Sequence, residues 1–347
     1  MKEIHRFILI GTGHVGDIHA RVIQGLENAE LAAVVDKNES VGRKYAAQYG
    51  CHYYASLQEA IQKEDFSIAS ICTPSYSHCR IAGELVKAGK HVIIEKPVDI
   101  DLQAVDELDA LSRSNHVKVC TIFQHRFDDS MMRVKKAIDD GRLGKLFFGA
   151  CHTKWYRDEK YYASGGWRGT WKYDGGGALI NQSIHYIDLL LYLMGEASEI
   201  YGSCGTFAHK TIEVEDLGAA LVKFKSGGIG IIEGTTAAYP GLYAELSVYG
   251  EKGSFVIRND RLVQYNVMGM SAEEEDYMLE RKEVAVGASE AMSLSIEPHK
   301  RQYEDMIQAI ETGREPLVNC AEGRKSLEVV LSIYESWKND LPVKLGK

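Results

Sequence analysis

Ten residues near the start, Phe7-Ile-Leu-Ile-Gly-Thr-Gly-His-Val-Gly16, constrain this chain more than any other stretch. The apolar run Phe7, Ile8, Leu9, Ile10 reads as a parallel strand buried on both faces. Gly11, Gly13 and Gly16 follow with G-x-G-x-x-G spacing, and Thr12, His14 and Val15 fill the positions between them. A helix-like run continues from Val15 to about Leu26. Gly11 permits the tight turn, Gly13 lets backbone approach a pyrophosphate, and Gly16 lets helix pack closely on strand. The helix N-terminus then faces the phosphate charge. Asp36 ends the next apolar run, Leu31–Val35, at the distance such a fingerprint requires. A carboxylate there accepts from ribose hydroxyls and repels a 2′-phosphate. The expectation is therefore a dinucleotide site that favours NAD over NADP, with the adjacent Lys37 softening the preference.

At 347 residues the chain has room for two domains with separate cores. Lys and Arg number 40 against 49 Asp and Glu, a net charge of −9, which argues against nucleic acid or an anionic membrane as partner. No apolar run approaches the ~18–20 residues of a membrane span. The opening Met-Lys-Glu-Ile-His-Arg leads straight into the first strand, which leaves no room for a secretory leader. Seven cysteines, an odd number without a C-x-x-C pair, read as reduced residues of a cytoplasmic protein.

Through residue 123 the chain alternates short apolar runs with amphipathic stretches, the pattern of an α/β doubly wound parallel sheet. Strands are expected at Phe7–Ile10, Leu31–Asp36, Ile68–Cys72, His91–Glu95 and Lys118–Ile122. Helices are expected at Val15–Leu26, Ser40–Tyr49, Tyr76–Ala88 and Asp101–Ser114, with a short helical turn at Ser56–Ile61. Ligands gather at the carboxyl ends of such strands. Three of those ends carry distinctive residues: the glycine loop, Thr73-Pro74, and Glu95-Lys96-Pro97.

From residue 124 to 347 the pattern becomes that of an α+β domain with a large, mostly antiparallel open sheet. A helix over about Asp128–Asp140 precedes alternating runs at Lys145–Trp155, Glu199–Thr206, Leu217–Phe224, Ile229–Thr236, Ala244–Tyr249 and Ser254–Arg258. One strong helix, Ala178–Met194, interrupts them. Ser271–Arg281, rich in Glu, reads as a solvated loop or edge element, and His299–Thr312 and Ala321–Lys338 as closing helices. A sheet this large needs cover on its second face, so a homodimer or homotetramer built through that sheet is expected.

Lys96 stands at a strand end between Glu95 and a proline that restricts it to extended geometry. An ammonium held there can hydrogen-bond a substrate hydroxyl or relay its proton, whereas a surface lysine would do neither. On a regular helix Asn181, His185 and Asp188 share one line, apart from the apolar stripe of Ile180, Ile184, Ile187 and Leu191. His185 can take a proton from a carbinol, with Asn181 orienting ring or substrate. A satisfied core histidine is the bland alternative. A metal is not expected, because these residues lack a second His or Cys at zinc spacing. Ahead of this helix, Trp155-Tyr156-Arg157, Tyr161-Tyr162 and Trp167-Arg168-Gly-Thr-Trp171 concentrate aromatics and arginines. Such a surface suits a pyranose, or a subunit interface.

Taken together, G-x-G-x-x-G, Cys72-Thr-Pro-Ser with His78, Glu95-Lys96-Pro97, and Gly175-Gly-Gly with Asn181, His185 and Asp188 resemble the glucose–fructose oxidoreductase / inositol dehydrogenase / rhizopine-catabolism (Gfo/Idh/MocA) family. The resemblance spans essentially the whole chain and implies a Rossmann domain followed by an α+β substrate domain. It also implies that Lys96 and His185 are the active-site pair and that Thr73 and Pro74 line the nicotinamide side. On the same footing Gly11, Thr12, Gly13, His14, Val15, Gly16, Asp36, Lys37, His78, Glu95, Lys96, Pro97 and Gln124 are expected around the cofactor. Lys96, Tyr156, Trp167, Arg168, Asn181 and His185 are expected around the substrate. Many members carry Asp where this chain has Asn181, which weakens any carboxylate relay and leaves His185 or Lys96 as the base. The tryptophan–arginine and triple-glycine pattern resembles members acting on sugars.

The expected activity is NAD-dependent oxidation of a secondary hydroxyl of a sugar, glycoside, nucleotide sugar or cyclitol, or reduction of the ketone. It requires the Lys96 amine and the His185 imidazole to meet beside one nicotinamide. An NAD-retaining glycosidase or lyase working through transient C3 oxidation, and a non-catalytic NAD-binding regulatory or assembly protein, are the alternatives.

Overall fold

A computed structural model describes residues 4–279 and 296–346, which fall into two compact units. The first comprises residues 1–124 and 295–324, and the second residues 125–294 and 325–347. The return of residues 295–324 to the first unit differs from the division at residue 123 read along the sequence. Local periodicity carries no information about which distant core a helix joins.

In the first unit the strands are β1 (His5–Ile10), β2 (Ala29–Val35), β3 (His52–Tyr54), β4 (Ile68–Ile71), β5 (His91–Ile94) and β6 (Val119–Thr121). They form one parallel sheet in the order β3-β2-β1-β4-β5-β6. That order reverses direction at β1/β4, the switch point where open α/β sheets bind ligands. The helices are α1 (His14–Gln24), α2 (Glu39–Tyr49), α3 (Leu57–Lys63), α4 (His78–Lys87) and α5 (Leu102–Ser114). Residues 75–77 form a short 3-10 turn where the expected helix was to begin. The central strands are almost wholly apolar and fully buried, as helices on both faces demand.

The second unit begins with α6 (Asp129–Asp139) and β7 (Leu146–Lys154), followed by the short helices α7 (Glu159–Ala163) and α8 (Trp171–Asp174). Residues Ala178–Ser183 form a π-helical segment that runs into α9 (Ile184–Met194). The remaining strands are β8 (Ala197–Gly205), β9 (Leu217–Phe224), β10 (Ile229–Thr235), β11 (Ala244–Gly250), β12 (Gly253–Arg258), β13 (Arg261–Val267) and β14 (Val343–Lys344). They assemble with β7 as β13-β12-β11-β7-β10-β9-β8-β14, antiparallel except for β7 beside β10. One face lies under the π segment and α9; a Cβ at Gly149 of β7 would meet Leu190 at 2.7 Å. On the opposite face Tyr201, Leu221 and Ile231 pair across three strands and are exposed.

One element differs in kind from expectation. Residues 272–279 of the supposed solvated loop are a helix, α10 (Ala272–Leu279), whose first turn carries Glu273, Glu274 and Glu275 where the helix dipole favours negative charge. Glu280 and Arg281 of that stretch lie outside the described residues. The last two helices are α11 (Glu297–Thr312) and α12 (Cys320–Asn339). Among the described residues no helix is long and apolar enough to cross a membrane.

Candidate active site

In the first unit the glycine loop behaves as its spacing demands. Gly11 sits at φ +94, and a Cβ there would fall 2.6 Å from the Cys72 carbonyl oxygen. A Cβ at Gly16 would fall 2.4 Å from the Gly11 oxygen, so helix and loop touch backbone to backbone. Around Gly13 the Cβ position meets nothing within 4 Å, and no side chain caps α1. His14 and Val15 are exposed beside it. The first amides of α1 are thus presented to an anion.

Asp36 is aimed back at this loop. Its Oδ2 accepts from the Thr12 amide (2.9 Å) and hydroxyl (2.6 Å), and its Oδ1 accepts from the Asn38 amide at 2.8 Å. Lys37 is exposed and points no such bond at the loop. An open amide cradle with a fixed carboxylate at the β2 end fits an adenine dinucleotide.

The ends of β4 and β5 are tied together. His78 is buried, with Nδ1 2.8 Å from the Pro97 carbonyl oxygen and Nε2 2.7 Å from that of Thr73. Its ring nitrogens hold two loops in place. The Thr73 hydroxyl bonds Ser77 Oγ at 2.8 Å. The Lys96–Pro97 peptide is cis, and Lys96 is half-buried. Gln124, also half-buried, closes this part of the unit.

Glu95 is buried behind Lys96. Burial alone would raise its carboxyl, but the bond from His19 Nε2 (2.9 Å) and the charges of His19, Lys96 and His299 hold it down at about 2. His19 was missed from sequence. Its signal was a histidine on the inward face of the fingerprint helix.

In the second unit the helix carrying His185 starts in a crowded place. A Cβ at Gly177 would lie 1.9 Å from the Glu215 carbonyl oxygen, so that glycine is obligatory. The Glu215 carboxyl accepts from the amides of Gly177 (2.8 Å) and Leu179 (2.9 Å) and from the Tyr334 hydroxyl (2.8 Å). Burial nonetheless lifts it to about 7. Because residues 178–183 are π-helical, Asn181 leaves the regular register, while His185 and Asp188 stay one turn apart on α9.

Asn181 donates to Asp174 Oδ1 at 2.8 Å, and Asp174 Oδ2 accepts from the Gly169 amide, so Asn181 pins the loop before the helix. Asp188 is fully buried against Arg126. His185 is half-buried, its ring perpendicular to that of His125 with centroids 5.1 Å apart. His125 is itself held by Asp128 (2.8 Å) and Asp260 (3.3 Å). Burial opposes its charge, but Asp260, Asp128 and Asp188 push it up to about 9, so it is an imidazolium at neutral pH.

The aromatic segment forms alternating layers. Arg157 lies over Trp155 and Tyr161, and Arg168 over Tyr161 and Trp167, at 4.9–5.4 Å. Gln182 links the layers, accepting from Arg157 Nη2 (3.1 Å) and donating to the Tyr161 hydroxyl (2.8 Å). Arg157, Tyr161 and Gln182 were not among the expected substrate residues. Arg168 also bonds Ser164 through Nη1. Tyr156 is exposed and stands edge-on to Tyr239, at the margin of the layers.

Comparison with known proteins places both halves of the chain in one family. Residues 5–123 match the family described as "Oxidoreductase family, NAD-binding Rossmann fold", and residues 131–256 match the "GFO/IDH/MocA C-terminal domain". Myo-inositol 2-dehydrogenase of Thermotoga maritima is 25% identical over 349 residues, covering 98% of each chain. Inositol 2-dehydrogenase of Rhizobium meliloti is 28% identical over 266 residues, covering 76% of this chain and 78% of the other. The crystal structure of the WlbA dehydrogenase from Bordetella pertussis in complex with NADH and UDP-GlcNAcA superposes with a TM-score of 0.91 at 27% identity, covering 100% and 99%. With both halves matched in order, the chain belongs to the Gfo/Idh/MocA family of oxidoreductases and carries its NAD-binding Rossmann domain.

Proposed function

We propose that this protein is an NAD-dependent dehydrogenase that oxidises a secondary hydroxyl of a sugar, glycoside, nucleotide sugar or cyclitol, or reduces the corresponding ketone. The observation that carries the reading is the arginine–aromatic stack of residues 155–168, joined through Gln182 to the helix of His185. Flat rings with fixed donors suit a polyhydroxylated ring, whose C–H face stacks and whose hydroxyls accept. Two relatives are named inositol dehydrogenases, and one neighbour was crystallised with a UDP-sugar acid, in keeping with this class.

Bound NAD supplies the hydride acceptor. His185 takes the hydroxyl proton as the carbon is oxidised, and Lys96 hydrogen-bonds the reacting oxygen. Asn181 keeps the preceding loop in place through Asp174, while Arg168 and Trp167 seat the ring. The Thr12 and Asp36 pair addresses the ribose, and the amides from Gly13 onward address the pyrophosphate. The exposed row Tyr201, Leu221, Ile231 is the face on which a second copy of the chain packs. The cytoplasm is the proposed location.

NADH absorbance measured across inositols, free sugars, levoglucosan and UDP-sugar acids tests the proposal. Steady accumulation with at least one polyol supports it. Product formation without NADH would instead indicate an enzyme that retains its cofactor. Binding of NAD with no turnover anywhere would indicate a non-catalytic protein. His185→Ala and Lys96→Ala are each expected to lower kcat by about 10²-fold or more with NAD affinity kept. Near-normal turnover in both refutes the two assignments.

A further inference from the structure

The first unit buries a polar chain that the dinucleotide fingerprint does not need. His19, on α1, has no solvent exposure. Its Nδ1 lies 2.8 Å from Ser70 Oγ on β4 and 2.7 Å from the Tyr303 hydroxyl on α11, and those two oxygens are 2.7 Å apart. Its Nε2 meets Glu95 Oε1 at 2.9 Å, and Glu95 Oε2 accepts the Lys96 amide at 3.1 Å. The ring of His299 stands edge-on at 5.9 Å, and Cys72 Sγ lies 4.0 Å from Ser70 Oγ. Three segments far apart in sequence therefore converge on one imidazole, and its outward bond ends one residue from Lys96.

A buried imidazole could simply fill space, but this one has every polar contact directed. Ser70 and Tyr303 hold one nitrogen, which fixes the ring plane and so the direction of the other. Glu95 is a carboxylate out of water whose orientation depends on that donor. We propose that His19 is a positioning residue for Lys96, acting through Glu95 to set where the lysine side chain leaves the β5 end. The inference rests on the reading of Lys96 given above. The geometry it protects matters because a reacting group misplaced by about 1 Å can cost about 10²-fold in rate.

Three variants separate the two nitrogens. His19→Gln keeps a donor where Nε2 stood, His19→Asn keeps one only where Nδ1 stood, and His19→Leu keeps neither. Crystal structures of the variants without cofactor read the Lys96 position. NAD affinity and kcat are measured with myo-inositol, levoglucosan and UDP-GlcNAcA as probes. His19→Leu and His19→Asn are expected to displace Lys96 Nζ by about 1 Å and to lower kcat about 10²-fold, while His19→Gln retains both position and rate. NAD affinity stays at the wild-type level in all three. Should His19→Leu fail to fold, His19→Asn, which keeps the Ser70 and Tyr303 side, carries the test.

An unmoved Lys96 in every variant overturns the proposal, as does equal activity of the Asn and Gln variants. Lys96→Ala assayed alongside separates the two levels. If it turns over normally, the lysine reading fails and this inference falls with it. If it is inactive while Asn and Gln variants match, only the positioning role is lost.

Discussion

Arg126 and Asp188 form a two-pronged ion pair, Nε to Oδ2 at 2.8 Å and Nη2 to Oδ1 at 2.7 Å, with side chains only 2% and 1% exposed. The Tyr192 ring covers the guanidinium at 4.5 Å, and Ser326 donates to Asp188 Oδ1. Fork matched to carboxylate in a dry site is the geometry that repays desolvation. Asp188→Asn leaves a buried cation without its counter-charge and is expected to destabilise by about 3–5 kcal/mol. The double change Arg126→Met with Asp188→Leu should cost less than that. Denaturant unfolding of the two proteins checks the order; equal losses would show that the charges do not act as a pair.

Asp36 and Thr12 give a second prediction. With both Thr12 donors on Oδ2, the carboxylate is oriented before any ribose arrives. Asp36→Ala should raise KM for NAD by about 10-fold and narrow the preference over NADP, since a carboxylate there is what discriminates. Thr12→Val, which removes one neutral bond worth about 1 kcal/mol, should raise KM by less than Asp36→Ala does. Initial rates with both cofactors decide.

Glu215 predicts a pH dependence of stability. Folding raises its carboxyl from the ordinary range near 4.5 to about 7, so the folded protein binds a proton that the unfolded chain has lost. The stability from this group is full below about 4.5 and declines as pH rises toward 7. Glu215→Gln, which keeps a neutral side chain, should flatten that slope in thermal melts. Its single oxygen still accepts from one of the two amides, Gly177 or Leu179, that the carboxylate serves together. A slope unchanged in the variant would assign it elsewhere.

His125 acts in the next window up. Its folded value of about 9 against an ordinary 6.5 means that its contribution is complete below about 6.5 and is lost as pH rises through 9. The shift corresponds to about 3 kcal/mol at most. Proton NMR of the His125 ring should show titration near 9, and Asp128→Asn should lower it. A ring already neutral at pH 7 would remove the imidazolium beside His185.

Much of this arrangement was legible in the residues, and the remainder was hidden for physical reasons. The fingerprint worked because each glycine answers a backbone need that no other residue meets. Strand β3, three residues at a sheet edge, is too short to show a period. Strand β13 did leave a trace: Asn259 and Asp260 both take positive φ between paired Arg258 and Arg261, a two-residue hairpin turn. The polar stripe of Asn181, His185 and Asp188 assumed a 3.6-residue period throughout, and the π segment takes Asn181 out of that register. Gly177 and Glu215 meet in close approach just before that segment, which no local pattern displays. Tyr303 lies 284 residues from His19, beyond the reach of any windowed reading.

That separation bears on how the molecule is made. A ribosome makes His19 well before Tyr303, whose hydroxyl anchors that histidine from 284 residues further on. The core around α1 is therefore completed only after α11 has been made. A nascent chain stalled before α11 would expose the inner surface of α1, and chaperones would meet it there.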